Sequence, residues 1–255
     1  MVKVGTITAS YMWESVNYKV DATWDDLMTG FKDRWTPPRL DDLLGRIAAI
    51  PMPYIELWKT QTQGSTWDPG TVGTMLDKHG LTIASYCVGG VGSLDGLERD
   101  YQFAAALGAP LMSGFLGCNE TDALLDAMET YGAKYGIGYA IEPHGTSYSV
   151  ADPAQIRRIL DERSELIGVC PDPGWWAGQD FEPIAATELL KDRVTHTHLR
   201  CTLKPSGERE PWAEGVIRVL KESGYQGVYS IEHEPKHDPG PELAEARAFI
   251  VKVVS

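Results

Sequence analysis

Cysteine is scarce in this chain, with four in 255 residues: Cys87, Cys118, Cys170 and Cys201. None forms a C-x-x-C pair, which argues against a disulfide framework and a structural zinc site. Basic residues are also few. The 23 Lys and Arg stand against 36 Asp and Glu, and the resulting net charge of -13 leaves no cationic surplus to neutralise nucleic-acid phosphates or an anionic membrane surface. No apolar run approaches the length of a bilayer span, and residues 1–13 hold a single Lys and no signal-peptide core. A cytoplasmic protein is therefore expected. No low-complexity stretch or linker divides the chain, and no Gly-rich dinucleotide loop follows its first apolar run.

What is present is regular. With 43% hydrophobic residues, the chain has the apolar content for one large core, and residues 1–255 read as a single domain. Short apolar runs bounded by Gly and Pro begin at Val2, Tyr54, Leu81, Pro110, Ile137, Leu166, Val194 and Gly227, and each predicts a strand. From the second onward their starts lie 27, 29, 27, 29, 28 and 33 residues apart, which leaves room for one helix between neighbours. Gly80, Gly108, Gly136 and Gly224 precede later runs, where a left-handed residue would end a helix. Asp68-Pro69 and Asp152-Pro153 supply an N-cap followed by proline at the first helical position. Eight β-α units in this length predict an α/β fold, a single (β/α)8 TIM barrel. One stretch breaks the period. Residues 8–38, with Tyr11, Trp13, Trp24 and Trp35, are expected to form a long aromatic-rich loop on the catalytic rim.

Barrel enzymes carry reactive groups at the C-terminal ends of strands. Runs five to eight end in Tyr139-Ala140-Ile141-Glu142-Pro143-His144, Gly168-Val169-Cys170-Pro171-Asp172, Thr195-His196-Thr197-His198 and Tyr229-Ser230-Ile231-Glu232. Glu142, Asp172, His198 and Glu232 should therefore converge on one end of the barrel axis. Three carboxylates there would repel one another without a cation, and three oxygen donors with one imidazole suit Mn or Mg, with Co or Fe as alternatives, better than closed tetrahedral zinc. His196 shares a strand face with His198 and competes for the ligand position, although His198 lies nearer the strand end. His144, two residues beyond Glu142, is placed to move protons near the ion, and its ordinary pKa suits that task. Glu56 ends the second run and would bind a sugar hydroxyl or support a ligand. Trp175 and Trp176 immediately follow a metal residue and are candidate substrate contacts. Glu234 is expected to be solvated, and His79, His233 and His237 to be structural.

The unit plan and the series Glu142, Asp172, His198 and Glu232 resemble the xylose-isomerase-like sugar isomerase and epimerase superfamily over nearly the whole chain. That resemblance implies one divalent ion, Mn with Mg or Co as alternatives, held by those four residues. Many epimerases of the group carry a histidine three residues after the metal-binding Asp; here Trp175 stands there. The pairing of Glu142 with His144, the Trp-rich rim and the His-Thr-His-Leu-Arg run from His196 to Arg200 are similar to the catalytic large subunit of bacterial C-glycoside deglycosidases of the carminate type. This second resemblance implies a metal-dependent carbon-carbon lyase acting on 3-oxo C-glycosides. It also implies a smaller β-rich partner subunit. The residues themselves put His144 forward as the catalytic residue and Glu56, Trp175, Trp176, Arg200 and His196 around the substrate, with a packed or supporting position as the other reading of His196. A free-sugar isomerase or epimerase is the alternative activity, and a non-catalytic binding subunit is the alternative of another class.

Overall fold

The computed structural model describes residues 2–62, 67–117, 121–145, 147 and 149–255, with the backbone alone at 32–34. Seven strands form one parallel sheet: β1 (Val4–Ile7), β2 (Tyr54–Trp58), β3 (Thr82–Val91), β4 (Leu111–Leu116), β5 (Gly138–Ile141), β6 (Ile167–Val169) and β7 (Tyr229–Ile231). Their order is β6-β5-β4-β3-β2-β1-β7. Because β1 pairs with both β2 and β7, the first and last units are neighbours and the sheet curls towards closure. Among the described residues the helices are α1 (Trp24–Arg34), α2 (Pro37–Ala49), α3 (Pro69–His79), α4 (Leu97–Leu107) and α5 (Thr121–Tyr135). They continue with α6 (Pro153–Glu162), α7 (Pro173–Ala177), α8 (Pro183–Leu190), α9 (Ala213–Glu222) and α10 (Gly240–Val254). The architecture is that of a (β/α)8 barrel.

The seventh apolar run differs from expectation. Residues 194–199 close the gap between β6 and β7 without forming a regular ladder, through single bridges of Val194 to Val169 and Leu199 to Ile231. Thr197 explains the irregularity. Its Oγ1 donates to Val228 O and accepts from Ser230 N, so a side chain takes up groups that a strand would pair through its backbone. Gly168 makes room at this seam, since a Cβ there would come within 2.4 Å of Thr195 Oγ1.

The punctuation follows the sequence closely. Asp68 accepts from Thr71 N and Asp152 from Ala154 N at the starts of α3 and α6. Gly80, Gly108, Gly136 and Gly224 take φ values of 64°, 76°, 71° and 80°, the left-handed region that glycine enters without a Cβ penalty. Helix faces bury the expected stripes, for example Leu40, Leu43, Leu44 and Ile47 of α2. Cys87, Cys170 and Cys201 are buried free thiols; Cys118 lies outside the described residues. No described helix is long and apolar enough to cross a membrane.

Residues 8–38 are not an open loop. A 3-10 run, Thr8–Val16, follows β1 directly, and α1 then starts from a capping box between Thr23 and Asp26. Apolar packing drives this order. Leu27 and Phe31 lie four residues apart and are buried, as are Tyr11 and Trp35. The tryptophans on this segment divide accordingly, since Trp24 remains 55% exposed.

Candidate active site

The barrel interior below the site is polar. Glu56, in mid-β2, is fully buried and accepts from Ser113 Oγ and from Ser230 Oγ at 3.3 Å. Ser85 donates in turn to Ser113 at 3.1 Å. His196 Nε2 and His198 Nε2 each lie 2.8 Å from Glu56 Oε2. Burial pushes the Glu56 carboxyl up, but the two imidazoles outweigh it and hold the group well below the usual carboxylate range. Period-two alternation places these serines inward, where a barrel centre is ordinarily filled by branched apolar side chains. Glu56 and His196 are absent from the cavity lining, an arrangement that agrees with the supporting role read for each and not with direct contact to a sugar.

Above this layer, Glu142, Asp172, His198 and Glu232 come together, all buried, with one ligand-type atom from each within 4.8 Å of the others. With Nε2 engaged by Glu56, His198 presents Nδ1 to Glu142 Oε1 at 3.1 Å and to Glu232 Oε2 at 3.2 Å. Such carboxylate-backed imidazoles are the usual way a ligating histidine is oriented. Asp172 is fixed as the N-cap of α7, where its Oδ1 accepts from Gly174 N and Trp175 N. Glu232 Oε2 is buried and makes no well-formed hydrogen bond, although His198 Nδ1 stands 3.2 Å away. An orphaned carboxylate oxygen costs free energy unless a cation satisfies it, and the donor set of three carboxylates and one imidazole fits a divalent ion.

Arg200 offsets part of the negative charge. Its guanidinium lies 3.0 Å from Asp172 Oδ2, 3.1 Å from Glu232 Oε1 and 3.3 Å from Glu234 Oε2. Burial raises Glu232 to about 7 despite Arg200 and His198. Burial, with Glu232 adding to it, likewise raises Glu234 to about 8 against the pull of Arg200. His198 moves well above its ordinary value: burial opposes its charge, but the neighbouring Cys170 sulfur and the carboxylates of Glu56, Glu142 and Glu232 outweigh it.

These groups open onto a cavity of about 560 Å³ whose lining includes Glu142, His144, Trp175, His198, Arg200, Glu232 and Glu234. The His144 ring is layered between Phe115 and Trp175, with centroid distances of 4.3 and 3.8 Å. Burial lowers its pKa to about 4, which departs from the ordinary value expected from the sequence and makes the ring a weaker base, so the imidazole is neutral at pH 7. Trp175 is thus at the cavity. Trp176 is not: it is fully buried, and its Nε1 donates to Ala151 O at 3.0 Å, because the short helix α7 turns consecutive side chains in different directions. Glu234 is a cavity residue and not the solvated group expected. Its shared face with Glu232 was the signal, and the chain beyond β7 keeps that direction. His79, His233 and His237 pair with Asp41, Thr202 and Glu242 away from the cavity.

Residues 44–253 match the family model described as xylose isomerase-like TIM barrel. No curated protein matches the chain. Solved structures do. A D-allulose 3-epimerase from Methylomonas sp. in complex with D-allulose aligns at 16% identity and a TM-score of 0.73, over 98% of this chain and 96% of that one. D-Psicose 3-epimerase with D-tagatose from Clostridium cellulolyticum H10 aligns at 12% identity and a TM-score of 0.74, over the whole of both chains. A sugar phosphate isomerase/epimerase from Parabacteroides distasonis aligns at 16% identity and a TM-score of 0.69, over 100% of this chain and 96% of that one. At these identities the likeness is one of fold. With most of its length inside the matched model, the chain belongs to the xylose isomerase-like TIM barrel family.

Proposed function

We propose that this chain is a divalent-metal-dependent carbon-carbon lyase that releases an aromatic aglycone from a 3-oxo C-glycoside, with manganese as the ion. Glu142, Asp172, His198 and Glu232 would hold the ion, which when bound supplies Lewis-acid polarisation of the substrate ketone. The observation that carries the reading is the single imidazole, His144, standing in the cavity beside these four residues, with Trp175 layered on it where many epimerases of the superfamily have a second histidine.

Elimination needs one base; inversion of a stereocentre needs proton transfer on both faces. His144, kept neutral by burial, accepts the C2 proton that the neighbouring C3 ketone acidifies. The C1-aglycone bond breaks with its electron pair leaving on the aglycone carbon. A C1=C2 double bond forms in conjugation with the ketone, and the proton held by His144 is returned to the aglycone carbon. Atoms balance without oxidant or reductant. Trp175 and Phe115 hold the imidazole ring in place and keep water from its faces, while Arg200 keeps Asp172 and Glu232 oriented.

A second reading is favoured by a specific arrangement. Glu142 and Glu232 both lie close to His198 Nδ1 and both line the cavity, a carboxylate pair such as a free-ketose isomerase or epimerase would use. The similarity to deglycosidase large subunits also supports the proposal that the chain works with a smaller β-rich subunit, which light scattering of the chain expressed alone and with that subunit would test.

The activity test is incubation of manganese-loaded protein, alone and with its small subunit, with a 3-oxo C-glucoside and, separately, with free ketoses. Aglycone release is expected with the first and no epimer with the second; the reverse pattern selects the second reading. His144→Ala is expected to keep metal and fold while losing turnover by roughly 10²- to 10⁴-fold, as when a general base is removed. Wild-type turnover by that variant would overturn the role given to His144.

A further inference from the structure

The cavity also has an apolar wall that the elimination chemistry does not use. It is formed by Ile7, Met12, Trp24, Met28 and Trp58. Trp24 and Met28 belong to α1, and they are among the few large apolar side chains left open, at 55% and 38% exposure. Helical spacing accounts for the division of labour along α1. Leu27 and Phe31, four residues apart, are buried in the core, while Trp24 and Met28, also four apart, lie on the adjacent face over the cavity.

The placement of this helix is built in. Its first turn is pinned by the reciprocal bonds of Thr23 and Asp26, which fix Trp24 at the first helical position. Gly30 lets α1 close on the preceding 3-10 run, since a Cβ there would lie 3.0 Å from Ser15 O. Trp58 is held edge-on by Phe31, with ring centroids 5.0 Å apart, and its backbone N donates to Thr8 Oγ1 at 2.8 Å. Phe115, also in the lining, lies against Gly90, where a Cβ would meet its ring at 2.4 Å. Several aromatic rings therefore line one space, and its most exposed apolar members are a tryptophan and a methionine that gain little by facing water.

We infer that Trp24, Met28 and Trp58 form a binding subsite for a flat aromatic group, and that α1 is the element that selects the aglycone. The inference rests on the lyase reading for its place in turnover, but the subsite binds an aromatic molecule whether or not the bond is cleaved. Stacking on tryptophan and contact with a polarisable thioether suit a planar phenolic ring system. A cavity of this size takes a drug-sized ligand, which leaves space for such a ring beside a sugar held near Glu142 and His144. A free ketose, polar on most of its edges, would leave this wall uncovered.

The test is calorimetric titration of the metal-loaded protein with the flavone apigenin, which carries no sugar, and in parallel with glucose. Wild-type protein is expected to bind apigenin. Trp24→Ala and Met28→Ala should each weaken it, Trp24→Ala by about tenfold or more, as for removal of a central aromatic anchor, and Trp24→Phe should recover part of the loss. Val20→Ser, an 80% exposed position outside the cavity lining, should leave apigenin binding unchanged. Any glucose binding should be unaffected by Trp24→Ala. Equal apigenin affinity in wild type and Trp24→Ala would overturn the inference. So would a concentration-dependent dimer, abolished by Trp24→Ala in light scattering, which would assign the patch to self-association. Because the titration needs no turnover, apigenin binding without aglycone release would refute the lyase reading alone, whereas release with unaltered KM in Trp24→Ala would refute the subsite alone.

Discussion

Glu56 organises more of this site than any residue that touches the cavity. By accepting from His196, His198, Ser113 and Ser230 at once, it fixes which nitrogen of His198 is offered to a metal. Glu56→Gln would keep the shape but replace an anionic acceptor by an amide that must also place two donors. Metal affinity is expected to fall by about 10- to 100-fold, the usual consequence of losing a carboxylate behind a ligating histidine, and calorimetry with manganese measures it. Unchanged affinity would remove Glu56 from the account. The sequence located Glu56 at a strand end but left its role open, because a carboxylate inside a barrel and one on its rim look alike in the alternating pattern. The same limit applies to Trp176: adjacency to Asp172 put it near the cavity, and only the turn of α7 decides that Trp175 faces the substrate space while Trp176 fills the core.

At the scale of elements, the strand-end register was the most legible feature. The convergence of Glu142, Asp172, His198 and Glu232 could be read because each of four consecutive units ends in a ligand-type residue, and the fold needs only the period to bring them together. The seam at residues 194–199 was not legible, since Thr197 reads as an ordinary β-branched strand residue until its hydroxyl is seen to bond Val228 O and accept from Ser230 N. Nor was the helical nature of residues 8–38, whose aromatic residues suggested a rim loop when two of them, Tyr11 and Trp35, are core. The junction of β6 and α7 has a sharper consequence. Gly174 is the point where the Arg200 side chain crosses the helix start, and a Cβ there would fall 2.3 Å from Arg200 Cδ. Gly174→Ala should therefore push Arg200 away from Asp172 and destabilise the protein by about 1–3 kcal/mol, as overpacking typically does. Thermal unfolding of the metal-free chain would reveal it, and an unchanged midpoint would contradict the tight crossing.

For the whole molecule, the concentration of acidic groups at one end of the barrel couples folding to pH and, with the proposed ion, would couple it to metal. Glu232 and Glu234 titrate in the folded chain near 7 and 8, above the ordinary carboxylate value of about 4.3, and His198 is raised as well. Groups raised on folding bind protons more tightly in the native state, so their contribution is full at low pH and is lost as pH rises through the folded values. His144 is lowered to about 4, and its opposite contribution is complete by about pH 6.5, the ordinary histidine value. Between pH 6.5 and 8 the metal-stripped chain should therefore lose thermal stability. Added manganese should reverse the trend, because an ion binds the deprotonated carboxylates and stabilises the folded state by mass action. A stripped chain whose unfolding midpoint rises over that interval would contradict this charge distribution.

The most direct test is a calorimetric titration of manganese into the chelator-stripped chain and into its Asp172→Ala variant at one pH. Among the four proposed ligands, Asp172 is held by two backbone donors of α7 and by Arg200. One ion per wild-type chain, with binding weakened by at least tenfold in the variant, is the result expected from a centre built by Glu142, Asp172, His198 and Glu232. Undiminished one-to-one binding by Asp172→Ala would place the ion elsewhere and contradict the account.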